Sequence, residues 1–441
     1  MSYGIFQDFY NSSWSFNGNQ SSTGVIGTTF NGIVYISMPL LFAALAKRYA
    51  SRRKSAALAG SALTCLSYLL AAFSTDAWQL IATQGMLSAI GSGLIYAACT
   101  LSLGEWFSTG NRALAYGLTL SSKNIVGSAC PFLLQYLLMH HGYKTTLLIW
   151  SALTLLTSLA AILLMPSSTP HSPTSTTNHH PSPSIPWHFL KHRTFYIYSL
   201  AILLQSSGYG LPQTYLTTYA HSTGALNPTS ATLLLTLFNL PGILSSSFFG
   251  WLSDIHDKFS SQQQQHTARR TTTSSSSSSS APSLRSALTT PISTTLLSSL
   301  STSLSAFLLW GLAPRSNLAL LVLFSVIFGF FAGGYSGTWA GVVSEMEGEA
   351  AAHNESLDSG VVYGLLNGAR GLGYVVGGLV GLALLAAGQE KSDSLVSGGN
   401  GYATEYWAVI LFTGISTVFG GAGVFIGGGK MWRKMRVMMD F

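Results

Sequence analysis

A chain of 441 residues is long enough for two or three soluble domains, but only 8% of it is Asp, Glu, Lys or Arg, against about 25% in soluble proteins. So little charge cannot cover a water-facing surface; the 48% hydrophobic content, the 45 glycines and a mean hydropathy of +0.37 describe a polytopic membrane protein whose helices face lipid and pack through small residues. A soluble enzyme, a nucleic-acid binder and a disulfide-stapled secreted domain are excluded, and the net charge of +7 belongs to loop cations that set orientation, not to a polyanion partner.

A helix needs about 20 mostly apolar residues to cross about 30 Å of hydrocarbon. The first apolar piece, Met1 to Tyr10, is too short to cross, and it lacks the basic region and cleavage site of a signal peptide. Eleven complete spans follow, near residues 23–46, 55–73, 79–103, 113–139, 145–165, 194–220, 229–252, 288–312, 318–343, 360–387 and 404–429. Cys65, Cys99 and Cys130 fall inside spans without paired or metal-binding spacing and read as small packing residues. No cofactor and no metal site are expected. His171, His179 and His180 lie in a Ser/Pro-rich linker that offers no rigid ligand geometry.

Lys and Arg give the orientation. If the loop with Lys47, Arg48, Arg52, Arg53 and Lys54 is cytoplasmic, sixteen of the 21 basic residues fall on that face, and only Lys144, Arg315 and Lys391 fall on the other. This places the C-terminus inside and the sequons at Asn11 and Asn19 outside. Two segments are low in complexity, 166–186 and 260–280, and both are expected to be disordered cytoplasmic connections. The acidic run Glu345, Glu347, Glu349, Glu355 and Asp358 reads as a solvated cytoplasmic loop.

Two short matches suggest an internal repeat on either side of the central linker. Tyr3-Gly4-Ile5-Phe6-Gln7 resembles Tyr209-Gly210-Leu211-Pro212-Gln213, and Tyr116-Gly117-Leu118 resembles Tyr363-Gly364-Leu365. Tyr209 lies well inside its span and Tyr3 near the start of the chain, so the expected architecture is six plus six helices with the first starting midway through the membrane.

The second match singles out two cations. Seven residues after Tyr116 comes Lys123, and seven after Tyr363 comes Arg370; no other Lys or Arg is embedded in a span. Counted from Arg112 and Asp358, both sit roughly 16 to 18 Å deep, near the midplane. A buried cation costs at least about 2.5 kcal/mol on insertion scales and usually faces a wet cavity or an anionic partner. The acidic residues Asp8, Glu105, Asp254 and Glu345 all lie near span ends. Two uncompensated cations facing one another across a repeat interface make an anion-binding site. The alternative is that each donates to backbone carbonyls freed by Gly-rich helix distortion.

The segments Ser2-Tyr3-Gly4-Ile5-Phe6-Gln7-Asp8-Phe9-Tyr10, Glu105-Trp106-Phe107 with Asn111-Arg112-Ala113-Leu114-Ala115-Tyr116-Gly117, Gly208-Tyr209-Gly210-Leu211-Pro212-Gln213-Thr214-Tyr215, and Leu366-Asn367-Gly368-Ala369-Arg370-Gly371-Leu372-Gly373-Tyr374 together give a sequence that resembles the major facilitator superfamily, and within it the fungal monocarboxylate-transporter-like group. The superfamily's loop motif is similar to Gly250-Trp251-Leu252-Ser253-Asp254, which implies that Asp254 latches a gate against a helix N-terminus. In the first half the matching stretch, ending Ala46-Lys47-Arg48, has neither the glycine nor the acid. The animal carriers of this family use an Asp and an Arg in the eighth helix, where this chain has Gly242 and Ser246, so proton-coupled lactate transport does not carry over.

The expected fold is all-α, a major facilitator arrangement of two six-helix bundles with the first helix N-terminally truncated. The expected organisation is a bundle over 1–165, a linker over 166–190, a second bundle over 191–429 interrupted by a low-complexity loop at 256–286, and a basic tail over 430–441. The expected function is transport of a small organic anion, monocarboxylate-like or an acidic metabolite, by a monomer in the plasma or vacuolar membrane; a transport-inactive sensor and a non-functional truncated product are the alternatives. Lys123 and Arg370 are the primary substrate residues, with Asn124, Tyr209, Gln213, Asn239, Tyr335 and Asn367 as polar or aromatic cavity candidates, each of which can equally serve an interhelical hydrogen bond. Asp254, Arg112 and Glu105 are the gating candidates. Proton coupling stays open, through Lys123 or through a segment absent from the first helix.

Overall fold

The computed structural model describes residues 3–12, 23–107, 112–165, 187–222, 227–270, 291–314, 317–392 and 400–422. The side chain of Asn11 at the end of the first helix, the sequon at Asn19, the linker histidines, the Ser-rich segment and the basic tail lie outside the described residues or their described side chains. Among the described residues the fold is helical, with one isolated β-bridge between Pro314 and Asn400.

Among the described residues eight helices are long and apolar enough to cross a membrane: Thr23–Ala44, Tyr49–Ala72, Ala77–Trp106, Leu114–Leu164, Thr229–Ser253, Ile292–Trp310, Leu318–Ala352 and Ser359–Gln389. At about 1.5 Å per residue the fourth of these would be more than twice as long as a bilayer is thick. It doubles back at Gly142, whose φ of 72° and ψ of 172° lie outside helical space. A side chain there would meet no neighbouring atom within 4 Å, so the positive φ alone calls for glycine. Two further helices complete the eleven expected passes. Arg193–Ser222 is less apolar because buried Gln205, Ser206, Ser207 and Thr217 run along it, and Trp407–Gly421 is short within the described residues. The opening helix spans Tyr3–Ser12.

The helices that position the site are α1 (Tyr3–Ser12), α2 (Thr23–Ile36), α3 (Met38–Ala44), α4 (Arg53–Ala72), α5 (Ala77–Leu80), α6 (Ser88–Trp106), α7 (Arg112–Leu164), α8 (Arg193–Ser222) and α9 (Pro228–Arg270). They continue with α10 (Pro291–Leu304), α11 (Leu318–Gly334), α12 (Trp339–Ala352), α13 (Ser359–Ser392) and α14 (Trp407–Val418). Pro39 follows the break between α2 and α3, and π-helical turns at Ile81–Leu87 and Ser305–Trp310 interrupt two spans.

The polarity of α10 is inverted relative to a water-soluble helix. Leu297, Leu300 and Leu304 face outward, whereas Thr294, Thr295, Ser298, Ser299, Thr302 and Ser303 are buried. In lipid an outward leucine costs nothing, while a hydroxyl must find a partner inside. Thr302 donates to its own helix at Ser298 O (2.7 Å), Ser298 donates across to Phe331 O (2.8 Å), and Ser303 donates across to Gly414 O (2.8 Å).

Residues 3–165 meet residues 187–422 chiefly through α7 against α9 and α2–α3 against α13. Glycine makes both approaches possible. A Cβ at Gly117 would stand 2.5 Å from Ser246 O, and one at Gly371 would stand 2.4 Å from Ile36 N. In each case the obstacle is backbone, which cannot rotate away. Gly117→Val is therefore expected to force α7 and α9 apart, costing about 1–3 kcal/mol as overpacking does; a melting temperature in detergent equal to that of the unaltered protein would refute the tight contact.

Candidate functional site

Tyr116 on α7 and Tyr363 on α13 stack directly, with ring centroids 5.0 Å apart and planes 13° from parallel. These are the residues that the internal repeat makes equivalent, so the two helices face each other about the axis relating the halves. Seven residues is two helical turns to within about 20°, which keeps a side chain on the same face roughly 10 Å further along. Lys123 and Arg370 consequently lie on the faces of α7 and α13 that meet at the stacked tyrosines.

Their surroundings differ. Arg370 is 5% exposed, with its guanidinium carbon 5.0 Å from the ring centre of Tyr35, 5.3 Å from Trp339 and 5.7 Å from Tyr374. Tyr35 and Tyr374 stack on each other at 5.6 Å. The π faces offset part of the cost of burying the charge, yet Arg370 Nε and Trp339 Nε1 are both buried without a partner. Lys123 has no such cage. It is half-buried and makes no hydrogen bond or ion pair among the described residues.

Most of the described carboxylates are engaged elsewhere. Asp8 pairs with His221 (3.2 Å), Glu105 with Arg53 (2.7 Å), and Glu349 and Glu355 with His192. Glu345 accepts from the Tyr198 hydroxyl (2.9 Å), and Asp358 caps α13 through Gly360 N (2.9 Å) and Val361 N (3.2 Å). The acidic run is thus a helix end and its cap rather than a free solvated loop, because the start of α8 folds His192 and Tyr198 back against it.

The other expected site residues separate into two groups. Tyr209 borders the rings around Arg370, beside Tyr374 (6.4 Å), Phe238 (6.0 Å) and Phe328 (6.4 Å). Asn367, one turn before Arg370, donates to Tyr363 O (2.8 Å) and keeps a buried Oδ1 without a partner. Asn124 instead donates to Ser246 Oγ (3.3 Å) and Asn239 to Gly127 O (3.3 Å), both tying α7 to α9. Tyr335 donates to Gly420 O (2.9 Å), and Gln213 lies at the contact of α8 with α1, its carbonyl 3.7 Å from where a Gly4 Cβ would be. Tyr35 and Tyr374 were not singled out from the sequence. Tyr374 is one turn after Arg370 and so was within reach of a spacing argument, whereas Tyr35 comes from α2 and carries no local signal. A separate groove of about 410 Å³ opens between Trp106 on α6 and Leu164 on α7; it is lined by no charged residue and is not the anion site.

The Major Facilitator Superfamily model matches residues 9–263, more than half of the chain. The chain belongs to the Major Facilitator Superfamily. Among curated proteins, this member of the superfamily is 31% identical to monocarboxylate transporter 13 of Bos taurus over 201 residues, 46% of each chain. It is 29% identical to monocarboxylate transporter 11 of Homo sapiens over 215 residues, 48% of this chain and 44% of that one. It is 24% identical to MFS-type transporter 1 of Ophiocordyceps sp. over 258 residues, 57% of this chain and 54% of that one. The matches thus span about half the length of these relatives. The fold also matches the crystal structure of the human organic anion transporter MFSD10 (TETRAN), at a TM-score of 0.56 and 12% identity, covering 96% of this chain and 88% of that one. It is therefore an integral membrane protein of a transporter family, monocarboxylate-transporter-like and with the major facilitator fold.

At the end of this superfamily member that carries the basic loops, Glu105 is held by Arg53, which is nearly fully buried and forks onto both carboxylate oxygens at 2.8 and 2.7 Å while Nε donates to Leu45 O at 2.8 Å. The pair fastens α4 to α6 inside the first half and does not bridge the halves. The side chains of the other two gating candidates, Arg112 and Asp254, lie outside the described residues. The same end carries His192, which meets Glu355 Oε2 through Nε2 (2.9 Å) and Glu349 Oε1 through Nδ1 (3.3 Å). The hydrogen bond to Glu355 is the main influence holding the imidazole above its ordinary value, and the same bond holds Glu355 below the usual carboxylate range. A raised histidine contributes stability that is full below its unfolded value and lost as pH rises through the folded one; a lowered carboxylate contributes above its unfolded value and loses it as pH falls. The link is strongest between the two, in mildly acidic solution. The melting temperature of the unaltered protein is expected to drop between about pH 6 and about pH 9, and His192→Gln to flatten that slope; an unchanged slope in the variant would remove His192 as its source.

Proposed function

We propose that this chain carries a small organic anion across a membrane by alternating access, with Lys123 and Arg370 as the groups that recognise the negative charge. The observation that carries this reading is the pairing of two repeat-equivalent cations in one interior while every described carboxylate is committed elsewhere or lies at a helix end. A buried charge without a counterion is expensive, and desolvated donors such as Arg370 Nε and Trp339 Nε1 remain unsatisfied until a ligand arrives. The likeness to monocarboxylate transporters supports a carboxylate as the charged group.

The residues before and after the central linker, 1–165 and 191–429, act as two bodies that rock about this site, which lies on the axis between them. The basic end faces the cytoplasm, as the excess of Lys and Arg in its loops favours, and this places the C-terminus inside. Asp254 and Arg112 sit at that end as gate residues, with Glu105 fixing the loop beside them through Arg53. The protein works as a monomer in the plasma or vacuolar membrane.

Uptake of labelled monocarboxylates into vesicles reconstituted with the purified protein tests the reading. Lys123→Ala and Arg370→Ala are each expected to weaken apparent affinity at least about tenfold, since truncating one member of a buried charge contact costs about 2–5 kcal/mol. Two folded variants that transport like the unaltered protein would overturn it.

A further inference from the structure

We infer that the preferred cargo carries two negative charges, a short dicarboxylate bridging Arg370 and Lys123, and that Lys123 sets this preference; the inference rests on the organic-anion reading of the same site. The two cations come from different halves, Lys123 from α7 and Arg370 from α13, so a ligand that touches both spans the interface between the halves. A single carboxylate neutralises one of them and leaves the other bare beside it in a low-dielectric interior. No described carboxylate in the chamber is placed to make up the difference.

The shape of each cation assigns its partner. Rings of Tyr35, Trp339 and Tyr374 surround the Arg370 guanidinium, and its Nε is buried and unpartnered. A planar carboxylate laid edge-on against Nε and a neighbouring Nη satisfies that geometry with two parallel hydrogen bonds. Lys123 is a point charge on a flexible stem, without an aromatic cage and still half-buried, which suits a second carboxylate whose distance from the first varies with chain length. Beside Tyr374, the rings of Tyr209, Phe238 and Phe328 supply a buried apolar wall for the connecting carbons.

Binding to the full chain in lipid nanodiscs, measured by calorimetry near neutral pH, decides the matter with four probes matched in carbon number: succinate against butyrate and glutarate against pentanoate. At least one dicarboxylate is expected to bind about tenfold more tightly than its monocarboxylate, a difference of about 1.4 kcal/mol. Lys123→Gln is expected to abolish that gap, weakening the dicarboxylate about tenfold more than its monocarboxylate. Monocarboxylates binding as tightly as dicarboxylates to the unaltered protein, or a folded Lys123→Gln variant that weakens both alike, overturns the inference and leaves the organic-anion site standing. Failure of all four probes to bind a folded protein overturns both. The comparison of probes on the unaltered protein decides by itself if the variant does not fold.

Discussion

A charge inside a membrane-thick bundle of helices must be answered by something, and two like charges facing each other must be answered twice. Arg370 is partly answered by π faces contributed from α2, α12 and α13. Trp339 and Tyr374 are buried and Tyr35 partly so, and the cation and the aromatic rings around it hold each other in place. Lys123 is answered by nothing described within the fold. The asymmetry between two positions that the repeat aligns separates a cation held among aromatic rings from one without such a cage.

The helices that carry the two cations approach the opposite half closely because small residues line both seams. Along α7 and α9 the reciprocal contacts of Gly117 with Ser246, Gly127 with Asn239 and Gly242 with Asn124 bring backbone against backbone or amide. Gly371 and Gly378 do the same for α13 against α2. Such seams bury little apolar area per residue and rely on close dispersion contact and interhelical hydrogen bonds. Asn124 and Asn239 therefore serve the seam, which explains why two polar residues so near Lys123 are turned to another purpose. The stacked pair Tyr116 and Tyr363 closes the interface on the side of the basic loops, while Asp8 and His221 join α1 to α8 at the other end.

Much of this was legible beforehand because lipid imposes simple rules. Eleven passes followed from span length, and the one ambiguity, the continuous helix Leu114–Leu164, resolves at a glycine with positive φ. The equivalence of Lys123 and Arg370 followed from the three-residue match of Tyr116-Gly117-Leu118 with Tyr363-Gly364-Leu365 and a count of seven. Other features were not legible. Arg53 looked like one more loop cation, but it is a buried fork on Glu105, a contact between residues 52 apart that leaves no local pattern. The acidic stretch looked solvated, but its partners His192 and Tyr198 lie about 150 residues away in the chain.

The sequence by itself determined the helical membrane fold, the number of passes, the end that carries the basic loops and the two buried cations, because each depends on composition, periodicity or a count along one chain. Only the tertiary structure decided that Tyr35, Trp339 and Tyr374 surround Arg370, that Lys123 keeps no partner among the described residues, and that Asn124, Asn239 and Tyr335 are committed to neighbouring helices. Those outcomes depend on which faces of distant helices meet, and the meeting is set by glycines whose effect is the absence of a side chain.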